Sequence, residues 1–447
     1  MTYESWGRNS PTLRRSCTPD SLNSEVMAKG SFLPYGNGRS YGDSCHNKDG
    51  RLIDMRDANR ILSFDEGSGV LTCEAGTLLS DILAHVIPRG FFLPVTPGTR
   101  FVTVGGAIAN DVHGKNHHVR GTFGAHVESL VLLRSDRGLL TCSPSENSDL
   151  FAATIGGMGL TGLITRAKIR LMRVGSADVR QRTLRFDGID DYFTRCAEFD
   201  DMHEYAVAWI DQLAKGRRLG RGLLLGADHP SERSQPSRPA SGPKLSIPFV
   251  PPVNLVNRAT LKVFNELFFR KERAGEHWRT VSWQSYFYPL DSIGRWNRLY
   301  GPRGLFQHQS VYPEMNGHDT TVRLMECAQV HGHASFLTVL KRFGAHRSPG
   351  LFSFPRPGFT LTLDFANQGA DTVKLLEALD DIVIAAGGAV NPYKDARMSA
   401  ATFEASFPDW RALEVHRDCA MISDFWKRTA MVLPRQTARM AALAAAV

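Results

Sequence analysis

Residues 96–123, TPGTRFVTVGGAIANDVHGKNHHVRGTF, combine five glycines with polar side chains and contain almost no long apolar run. Such a segment fills a hydrophobic core poorly. Glycine lets the main chain approach a ligand closely and adopt positive φ, and exposed N–H groups in such turns form anion-binding nests. The segment therefore predicts a backbone cradle for a ligand; the alternative is an ordinary glycine-rich surface loop.

The length of 447 residues predicts two or more domains, or one domain with large insertions. A hydrophobic fraction of 42% is ample for sizeable cores, and no stretch approaches the roughly 18 uninterrupted apolar residues of a membrane span. The first 16 residues lack the apolar segment of a signal peptide. Seven scattered cysteines without a CxxC pair indicate free thiols in a reducing compartment. We therefore expect a cytoplasmic protein.

Basic residues exceed acidic ones by 53 to 45, a formal net charge of +8. Such an excess favours phosphorylated ligands, nucleic acid or anionic lipid headgroups, although a soluble protein can also simply be basic. The charges are dispersed and nothing resembles a nucleic-acid-binding module, so we expect no nucleic-acid partner.

Residues 31–172 alternate short strand patterns with glycine-rich turns and a few helix patterns. Apolar residues on one face, with Thr77 as N-cap, predict the first of these helices. The predicted strands are 69–75, 128–134, 139–142 and 163–171, and the predicted helices are 77–86 and 147–154. The mixture indicates an α+β fold rather than a regular βαβ series.

From about 173 to 390 the chain has more aromatic residues and fewer glycines. Within this part, residues 231–252 are dense in proline and serine, which predicts a mobile loop or lid; the alternative is a loop without a role. The apolar end of this loop, residues 247–253, suits contact with an apolar ligand or a membrane surface.

Two further glycine-rich turns resemble nucleotide-binding loops. In residues 35–43, YGNGRSYGD, three glycines and Arg39 suit a loop that grips a diphosphate, although the spacing is not the Rossmann fingerprint. Residues 157–162 do match GxGxxG, but a predicted helix precedes them and a predicted strand follows, the reverse of the Rossmann order. We therefore expect no NAD(P) site there, and a turn that passes close to a flat cofactor instead.

Two polar runs are candidate reactive sites. His113 and His117 have the i, i+4 spacing of a metal pair, but the glycine and asparagine between them disfavour a helix and no carboxylate accompanies them, so we expect no metal. Lys394, in the run NPYKDAR, is a candidate base or substrate anchor; the alternative is a solvated charged turn.

Together, GNGRSYGD, PGTRFVTVGGAIANDVHGKNHH and IGGMGLTG resemble the vanillyl-alcohol-oxidase-type FAD flavoproteins, and within them the family of decaprenylphosphoryl-β-D-ribose 2′-oxidases. The similarity continues in order through WNRLYGP, FQHQ, LKRFG, FPRPGFTLTLDF and YKDAR, and so covers nearly the whole chain. It implies a two-domain α+β fold of the vanillyl-alcohol-oxidase/PCMH type. Residues 1–172, completed by 390–447, would bind FAD, and residues 173–389 would form an antiparallel-sheet substrate domain.

The implied activity is FAD-dependent oxidation of the 2′-hydroxyl of a polyprenyl-phosphoryl-β-D-ribofuranose to the 2′-keto sugar, the first half of epimerisation to the arabinofuranose donor. A separate NAD(P)H-dependent short-chain reductase would complete the epimerisation, and the enzyme would contact the inner face of the plasma membrane peripherally. Two alternatives remain: an aldonolactone or alditol oxidase of the same superfamily acting on a small soluble sugar, and a flavin-binding protein without turnover.

The resemblance also implies roles for single residues. Lys394 would lie beside the flavin and the reacting hydroxyl, either as an ammonium that stabilises negative charge or as a neutral base, with His113 and Lys115 near the flavin and the substrate entry. Lys341 would pair with an anionic group such as the phosphate. The residues lining FAD would be Gly36, Asn37, Gly38, Arg39, Ser40, Tyr41, Gly42, Pro97, Gly98, Thr99, Gly105, Gly106, Ala107, Asn110, Asp111, His113, Gly114, Asn116, His117, Gly124, Gly157, Gly159, Gly162 and Tyr393. Those contacting the substrate would be Trp209, Phe287, Gln307, Gln309, Lys341, Thr360 and Thr362.

This sequence departs from the family pattern at several positions. Arg39 stands where related covalent flavoproteins carry the histidine that bonds the flavin, which implies non-covalent FAD. Thr362 stands at the family's pocket cysteine and Thr360 at a nearby asparagine, while Asn391 and Phe287 replace tyrosines. These changes leave the flavin segments intact and put the sugar and lipid specificity in question.

The cysteine replacement is directly testable. A nitro-aromatic inhibitor that traps the family's pocket cysteine should leave no adduct on this chain, because a threonine hydroxyl is a far weaker nucleophile than a thiolate. Intact-mass spectrometry reads the outcome, and Thr362→Cys should acquire the adduct. An adduct at position 362 of the unaltered chain would show that the alignment with the family's cysteine is wrong.

Overall fold

The computed structural model describes residues 2–10, 13–232, 234–235, 243 and 245–434. Two large antiparallel sheets, with helices packed against them, dominate these residues. The α+β class and the antiparallel sheet expected in the middle of the chain are therefore confirmed.

The first 173 residues contain a five-stranded antiparallel sheet. Its order is β4 (Ile61–Asp65), β5 (Val70–Glu74), β9 (Leu163–Arg170), β7 (Val127–Arg134) and β8 (Gly138–Cys142). A parallel sheet beside it has the order β1 (Ser16–Cys17), β3 (Arg51–Asp54) and β2 (Phe32–Tyr35), and β6 (Phe91–Phe92) pairs with β10 (Met172–Arg173). The four predicted strands are confirmed apart from their end residues.

The aromatic-rich middle of the chain forms an eight-stranded antiparallel sheet. Its order is β15 (Gly275–Val281), β11 (Val179–Phe186), β13 (Gly222–Asp228), β12 (Tyr205–Ile210), β18 (Val339–Phe343), β19 (Gly358–Ala366), β17 (Leu305–Tyr312) and β20 (Ala389–Val390). Strand β19 is buried along its whole length, which places it at the centre of the structure.

Helices cover the sheets and form the C-terminal part of the described chain. They are α1 (Ser24–Ala28), α2 (Leu79–Val86), α3 (Val104–Ala109), α4 (His117–Arg120), α5 (Ser148–Thr154), α6 (Ile189–Met202), α7 (Arg258–Lys271), α8 (Trp283–Phe287), α9 (Gly317–Val330), α10 (Ala370–Ala385), α11 (Ala400–Ser406), α12 (Trp410–His416) and α13 (Asp424–Arg428). Both predicted helices are present, as α2 and α5.

The predicted N-cap of the first of these helices is wrong. Helix α2 begins at Leu79, and the capping position is Leu78 rather than Thr77. The N–H groups of Leu79 and Ser80 donate to the carbonyls of residues 102 and 100, at 3.0 and 2.9 Å. Because neighbouring backbone already satisfies the first-turn donors, no side-chain cap is needed, and the Thr77 hydroxyl lies 3.4 Å from the Arg60 carbonyl instead.

The C-terminal segment returns to the three-stranded parallel sheet. Phe32 exchanges backbone hydrogen bonds with residues 420 and 422, at 2.7 and 3.0 Å. Arg428 donates to both Asp43 oxygens and to Asp395 Oδ2, at 2.8, 2.9 and 2.6 Å. These bonds tie α13 to the first glycine-rich turn and to the turn that carries Lys394.

The division into segments 1–172, 173–389 and 390–447 stays a prediction.

Part of the loop predicted at 231–252 lies outside the described residues, namely 233, 236–242 and 244. Its described end is attached to the protein: β14 (Leu245–Ser246) pairs with β16 (Ile293–Gly294), and the Ile247 N–H donates to the Gly294 carbonyl at 2.9 Å. The predicted mobility of the loop stays a prediction.

All seven cysteines lie in the described residues and are free thiols, as predicted. Among the described residues, no helix combines the length and the apolar character needed to cross a bilayer.

The Arg428 contacts predict a stability effect. Arg428→Met leaves Asp43 without its cation and Asp395 with only the longer contact to Arg397, at 3.7 Å, so the free energy of unfolding should fall by about 3 kcal/mol. Denaturant unfolding measures the change. Arg60→Met is a matched control, because Arg60 is exposed and, among the described residues, its ion pair is with Glu74, so its loss should cost much less than that of Arg428. Equal losses in the two variants would contradict the tethering role of Arg428.

Candidate active site

One face of the eight-stranded sheet gathers the polar residues that the sequence nominated for substrate contact. Residues directly opposite each other in paired strands point to the same face, as do alternate residues of one strand. Strands β17 and β19 pair Gln309 with Thr362 and Gln307 with Asp364, and Thr360 continues the same face of β19. Five polar side chains are thereby aligned at the buried centre of the protein.

The neighbouring strands extend this face. Lys341 of β18 lies opposite Thr360, and Val339 of the same strand lies opposite both Thr362 and Trp209. Of the residues nominated for substrate contact, only Phe287 lies off the sheet. It ends α8, where it is buried.

Gln309 is the centre of a hydrogen-bond network. Asn391 Nδ2 donates to Gln309 Oε1 at 2.9 Å, which leaves Gln309 Nε2 to donate to Thr360 Oγ1 and to His113 Nε2, each at 3.1 Å. Because an amide nitrogen only donates, His113 Nε2 accepts, and the imidazole is neutral with its proton on Nδ1. Burial, reinforced by nearby positive charges, lowers the pKa of His113 well below its ordinary value, in agreement with a neutral ring.

Three lysines converge on this site without a carboxylate partner. Lys341 Nζ donates to the Gly114 carbonyl at 2.6 Å. Lys115 Nζ donates to the Tyr286 carbonyl and lies 4.1 Å from the centre of the Tyr286 ring. Lys394 Nζ lies 5.8 Å from the centre of the Tyr41 ring. Within the described part of the chain, no aspartate or glutamate forms an ion pair with any of the three.

Because the three amines are buried without counter-charges, their pKa values are lowered. Burial lowers the pKa of Lys115 to about 7 and that of Lys394 to about 8, where nearby Asp364 opposes the shift. Burial and the charges of the other two lysines lower the pKa of Lys341 well below its ordinary value. Each side chain nevertheless retains some solvent exposure. An anion that reaches these amines would favour their protonated forms and supply the missing counter-charge.

Asp364 is a site residue that the sequence analysis did not nominate. It is fully buried, accepts a hydrogen bond from Gln307 Nε2 at 2.5 Å, and influences Lys394 electrostatically. Burial raises the pKa of Asp364 to about 7. The period-2 alternation of FTLTLDF was the available signal, because it places Asp364 on the face of Thr360 and Thr362.

The sequence analysis identified Asn391 only as a residue that differs from the family pattern. In the structure its backbone N–H donates to the Gln309 carbonyl at 2.8 Å, while its side chain holds the Gln309 amide. Asn391 Oδ1 also accepts from the Tyr393 N–H at 2.9 Å. The residue therefore fixes Gln309 relative to the turn that carries Lys394, a role that only the three-dimensional structure shows.

The glycine-rich segments leave room where an FAD cofactor would have to fit. A Cβ on Gly98 would meet nothing within 4 Å, and one on Gly106 would meet only the hydroxyl of Thr103, which caps α3. Beside them the Arg39 guanidinium lies 4.2 Å from the centre of the Trp6 ring, and its buried Nε has no hydrogen-bond partner in the described protein. Open backbone and an unpartnered cation suit a diphosphate, so the residues present fit FAD.

Other nominated glycines instead let protein segments pack closely. A Cβ on Gly36 or Gly42 would overlap Thr103 or the Asp395 carbonyl, so the first turn is pressed against α3 and the Lys394 turn. Gly38 has φ +60°, a conformation that favours glycine. The nominated Asn37 and Asn110 support the same segments by donating to the carbonyls of residues 101 and 106, at 2.8 and 3.0 Å.

The turn at 157–162 lies behind this cradle. It joins α5 to β9, so the reversed element order predicted for it is confirmed. It is buried, and Cβ atoms on its glycines Gly157, Gly159 and Gly162 would meet protein atoms rather than open space. The Tyr393 hydroxyl lies 3.0 Å from the Gly156 carbonyl and holds the turn from the other side.

The remaining nominated residues lie in the same glycine-rich segments. Asp111 accepts from the Gly124 N–H at 2.9 Å and from two serine hydroxyls, and so braces the cradle. His117 is buried, and neither ring nitrogen has a partner in the described protein. The others are Ser40, Pro97, Thr99, Gly105, Ala107, Gly114 and Asn116. The described residues contain no group of three or more His, Cys, Asp or Glu side chains placed to hold a metal.

Comparisons with known proteins agree with this geometry. The FAD binding domain family matches residues 26–143, which include the first two glycine-rich segments. Decaprenylphosphoryl-β-D-ribose oxidase of Mycolicibacterium smegmatis is 35% identical over 95% of this chain and 96% of its own length. An uncharacterised protein of Streptomyces coelicolor is 32% identical over 77% of this chain and 97% of its own. Mouse L-gulonolactone oxidase is 36% identical over only 26% of each chain.

The pKa of Lys115 predicts a stability effect of its own. Lys115→Met keeps the length of the side chain and removes the cost of burying an amine that is charged in the unfolded chain, so the melting temperature without FAD should rise. The gain should be largest below pH 7 and should shrink as the pH rises from about 7 towards the ordinary lysine value of 10.5, where the unfolded chain also loses the charge. Melting curves across this range test the prediction. A gain that does not depend on pH would contradict it.

Proposed function

The chain belongs to the decaprenylphosphoryl-β-D-ribose oxidase family of FAD-dependent oxidoreductases, and we propose that it oxidises the 2′-hydroxyl of a polyprenyl-phosphoryl-β-D-ribofuranose to the 2′-keto sugar. Bound FAD supplies the acceptor for the hydride that leaves the sugar carbon. The cluster of Lys115, Lys341 and Lys394 without carboxylate partners is the observation that carries this proposal.

An anionic substrate explains why these lysines have no carboxylate partners. The charges of both other lysines lower the pKa of Lys341, so Lys341 lies within electrostatic range of each of them. A phosphoryl group is strongly anionic and accepts several hydrogen bonds. We propose that Lys115 and Lys341 hold the phosphate, while Gln307 and Gln309 bind sugar hydroxyls.

Lys394 is suited to remove the hydroxyl proton. With a pKa of about 8, a useful fraction of the amine is neutral near physiological pH, as a general base requires. Asp364 lies close enough to influence that pKa and can accept the proton afterwards, since its own pKa of about 7 is near neutrality. The neutral His113, held by Gln309, can then help to orient the sugar without adding charge.

We further propose that FAD is bound without a covalent link, because Arg39 occupies the position of the bonding histidine and its guanidinium packs on Trp6. A separate NAD(P)H-dependent reductase would then reduce the keto sugar. The GxGxxG turn between α5 and β9 supports a separate partner, since its order is the reverse of a dinucleotide-binding unit. The enzyme would work in the cytoplasm with peripheral contact to the membrane that holds its lipid substrate.

A second candidate is oxidation of a neutral aldonolactone or alditol. The likeness to L-gulonolactone oxidase favours it, but that match covers only 26% of the chain. A neutral sugar also supplies no negative charge to the three lysines, which form no ion pair with a carboxylate. The phosphorylated substrate is therefore the better supported of the two.

The role of Lys394 predicts a separation of binding from chemistry. Lys394→Ala should keep its flavin absorbance, yet anaerobic flavin reduction by a short-chain polyprenyl-phosphoryl ribose should slow by about 10²–10⁴-fold, the range for a lost general base. In the unaltered enzyme the reduction rate should rise with pH through about 8, because only the neutral amine accepts a proton. Stopped-flow absorbance measures both.

Lys374→Ala, on the exposed surface of α10, is the matched control and should reduce flavin at the unaltered rate. A rate in Lys394→Ala equal to that control would remove Lys394 from the mechanism. A rate that falls through pH 8 would assign it the ammonium role instead. Flavin that is reduced by a lactone but not by the phosphoryl ribose would favour the second candidate.

A further inference from the structure

Helix α7 turns an apolar stripe towards the solvent. Val263, Phe264 and Leu267 lie on one side of the helix, and their exposed fractions are 62%, 38% and 66%. A helix on the surface of a soluble protein normally faces such a stripe towards the core. Here the stripe is on the outside.

Polar contacts on the inner side fix this orientation. Asn265 is buried, and its amide donates to Asp211 Oδ1 at 2.7 Å. Glu266 accepts from Arg221 Nη2 at 2.5 Å, and Arg221 also pairs with Asp211 at 3.0 Å. Rotating the helix to bury the stripe would break these buried polar contacts. The exposure of the stripe is therefore built into the packing of α7.

Cations border the stripe. Residues 258–273 contain five basic and two acidic side chains, and Lys262, Arg270 and Lys271 are exposed beside the apolar residues. An apolar face flanked by lysine and arginine is typical of helices that lie in the membrane interface, where the cations meet anionic headgroups.

The segment before the helix also exposes apolar side chains. The Leu255 carbonyl accepts from the Thr260 hydroxyl at 2.8 Å, which joins the segment to the first turn of α7. Its exposed apolar side chains are Leu245, Phe249, Val253 and Leu255, with exposed fractions of 69%, 67%, 61% and 45%. The docking surface, defined as these four residues with Val263, Phe264 and Leu267, is thus larger than the helix alone.

Aromatic contacts connect the docking surface with the candidate active site. Phe264 packs on Phe336, Phe336 on Trp296 and Trp296 on Trp6, with ring centroids 5.2, 6.5 and 5.6 Å apart. Trp6 in turn lies under Arg39 of the first glycine-rich turn. A continuous apolar layer therefore runs from this surface to the place where FAD would bind.

We propose that the docking surface seats the protein on an anionic lipid membrane, with Val263, Phe264 and Leu267 inserted at the boundary between headgroups and acyl chains. A membrane matches both properties of the surface, its apolar stripe and its basic border. A second copy of this chain would instead bring two basic borders together. The idea that docking brings the polyprenyl chain to the site rests on the proposed function. The docking itself does not depend on that function.

Vesicle binding tests the proposal with the FAD-loaded full chain. The protein should co-sediment with phosphatidylcholine vesicles that contain phosphatidylglycerol, and less with phosphatidylcholine alone. The double variant Val263→Glu/Leu267→Glu should lose at least about tenfold in affinity, because two charges enter the apolar boundary. Lys262→Glu should lose about fivefold or more, a loss that added salt reduces.

Val330→Glu is the matched control, because Val330 is 83% exposed on α9, outside the docking surface, and it should bind vesicles like the unaltered chain. The double variant should still reduce its flavin with a short-chain water-soluble substrate, which shows that it is folded. Vesicle binding that survives in the double variant would overturn the proposal, as would a dimer in sedimentation equilibrium that only this variant abolishes. Normal vesicle binding without oxidation of the phosphoryl ribose would refute the proposed function and leave the docking intact.

Discussion

The arrangement of this site depends on burying much of three lysine side chains without giving their amines carboxylate partners. Lys115, Lys341 and Lys394 are positioned by backbone carbonyls, aromatic rings and sheet register rather than by ion pairs. Desolvation favours their neutral forms, and an incoming anion reverses that preference. The rigid sheet and the buried Gln309 network are what hold such an unfavourable arrangement in place. A flexible scaffold would relax by turning the lysines towards solvent.

Much of this could be predicted from the sequence, because its strongest signals are local. Short-range rules predict the alternation in β9, the hairpin at Gly138 and the glycine-rich segments. The structure confirms strand β9 and the hairpin of β7 and β8. The resemblance that began with GNGRSYGD and HGKNHH is confirmed by a relative aligned over 95% of the chain. It named Lys341 and Gln309 for one pocket although they are far from His113 in sequence, and Gln309 does contact His113.

What could not be predicted depends on contacts between distant segments. Thr77 has the right residue type for an N-cap, but backbone from residues 100–102 takes that role. The influence of Asp364 on Lys394 requires that β19 and the turn after β20 meet across β17. Glycines that look alike in sequence differ in function, since Gly98 faces open space and Gly157 faces protein. A rule based on residue type and spacing cannot separate these cases.

The hydrogen bonds of Arg428 also affect the order in which parts of the chain can fold. The first glycine-rich turn is among the earliest parts of the chain to be synthesised, yet Asp43 is held by a residue 385 positions later. Until α13 has left the ribosome, this part of the cradle lacks its support, and contacts of such long sequence separation form late. The N-terminal half of the nascent chain is therefore expected to remain incompletely folded. Flavin would then bind only after translation has finished. Cellular FAD supply would then act on the finished chain and could not rescue a truncated one.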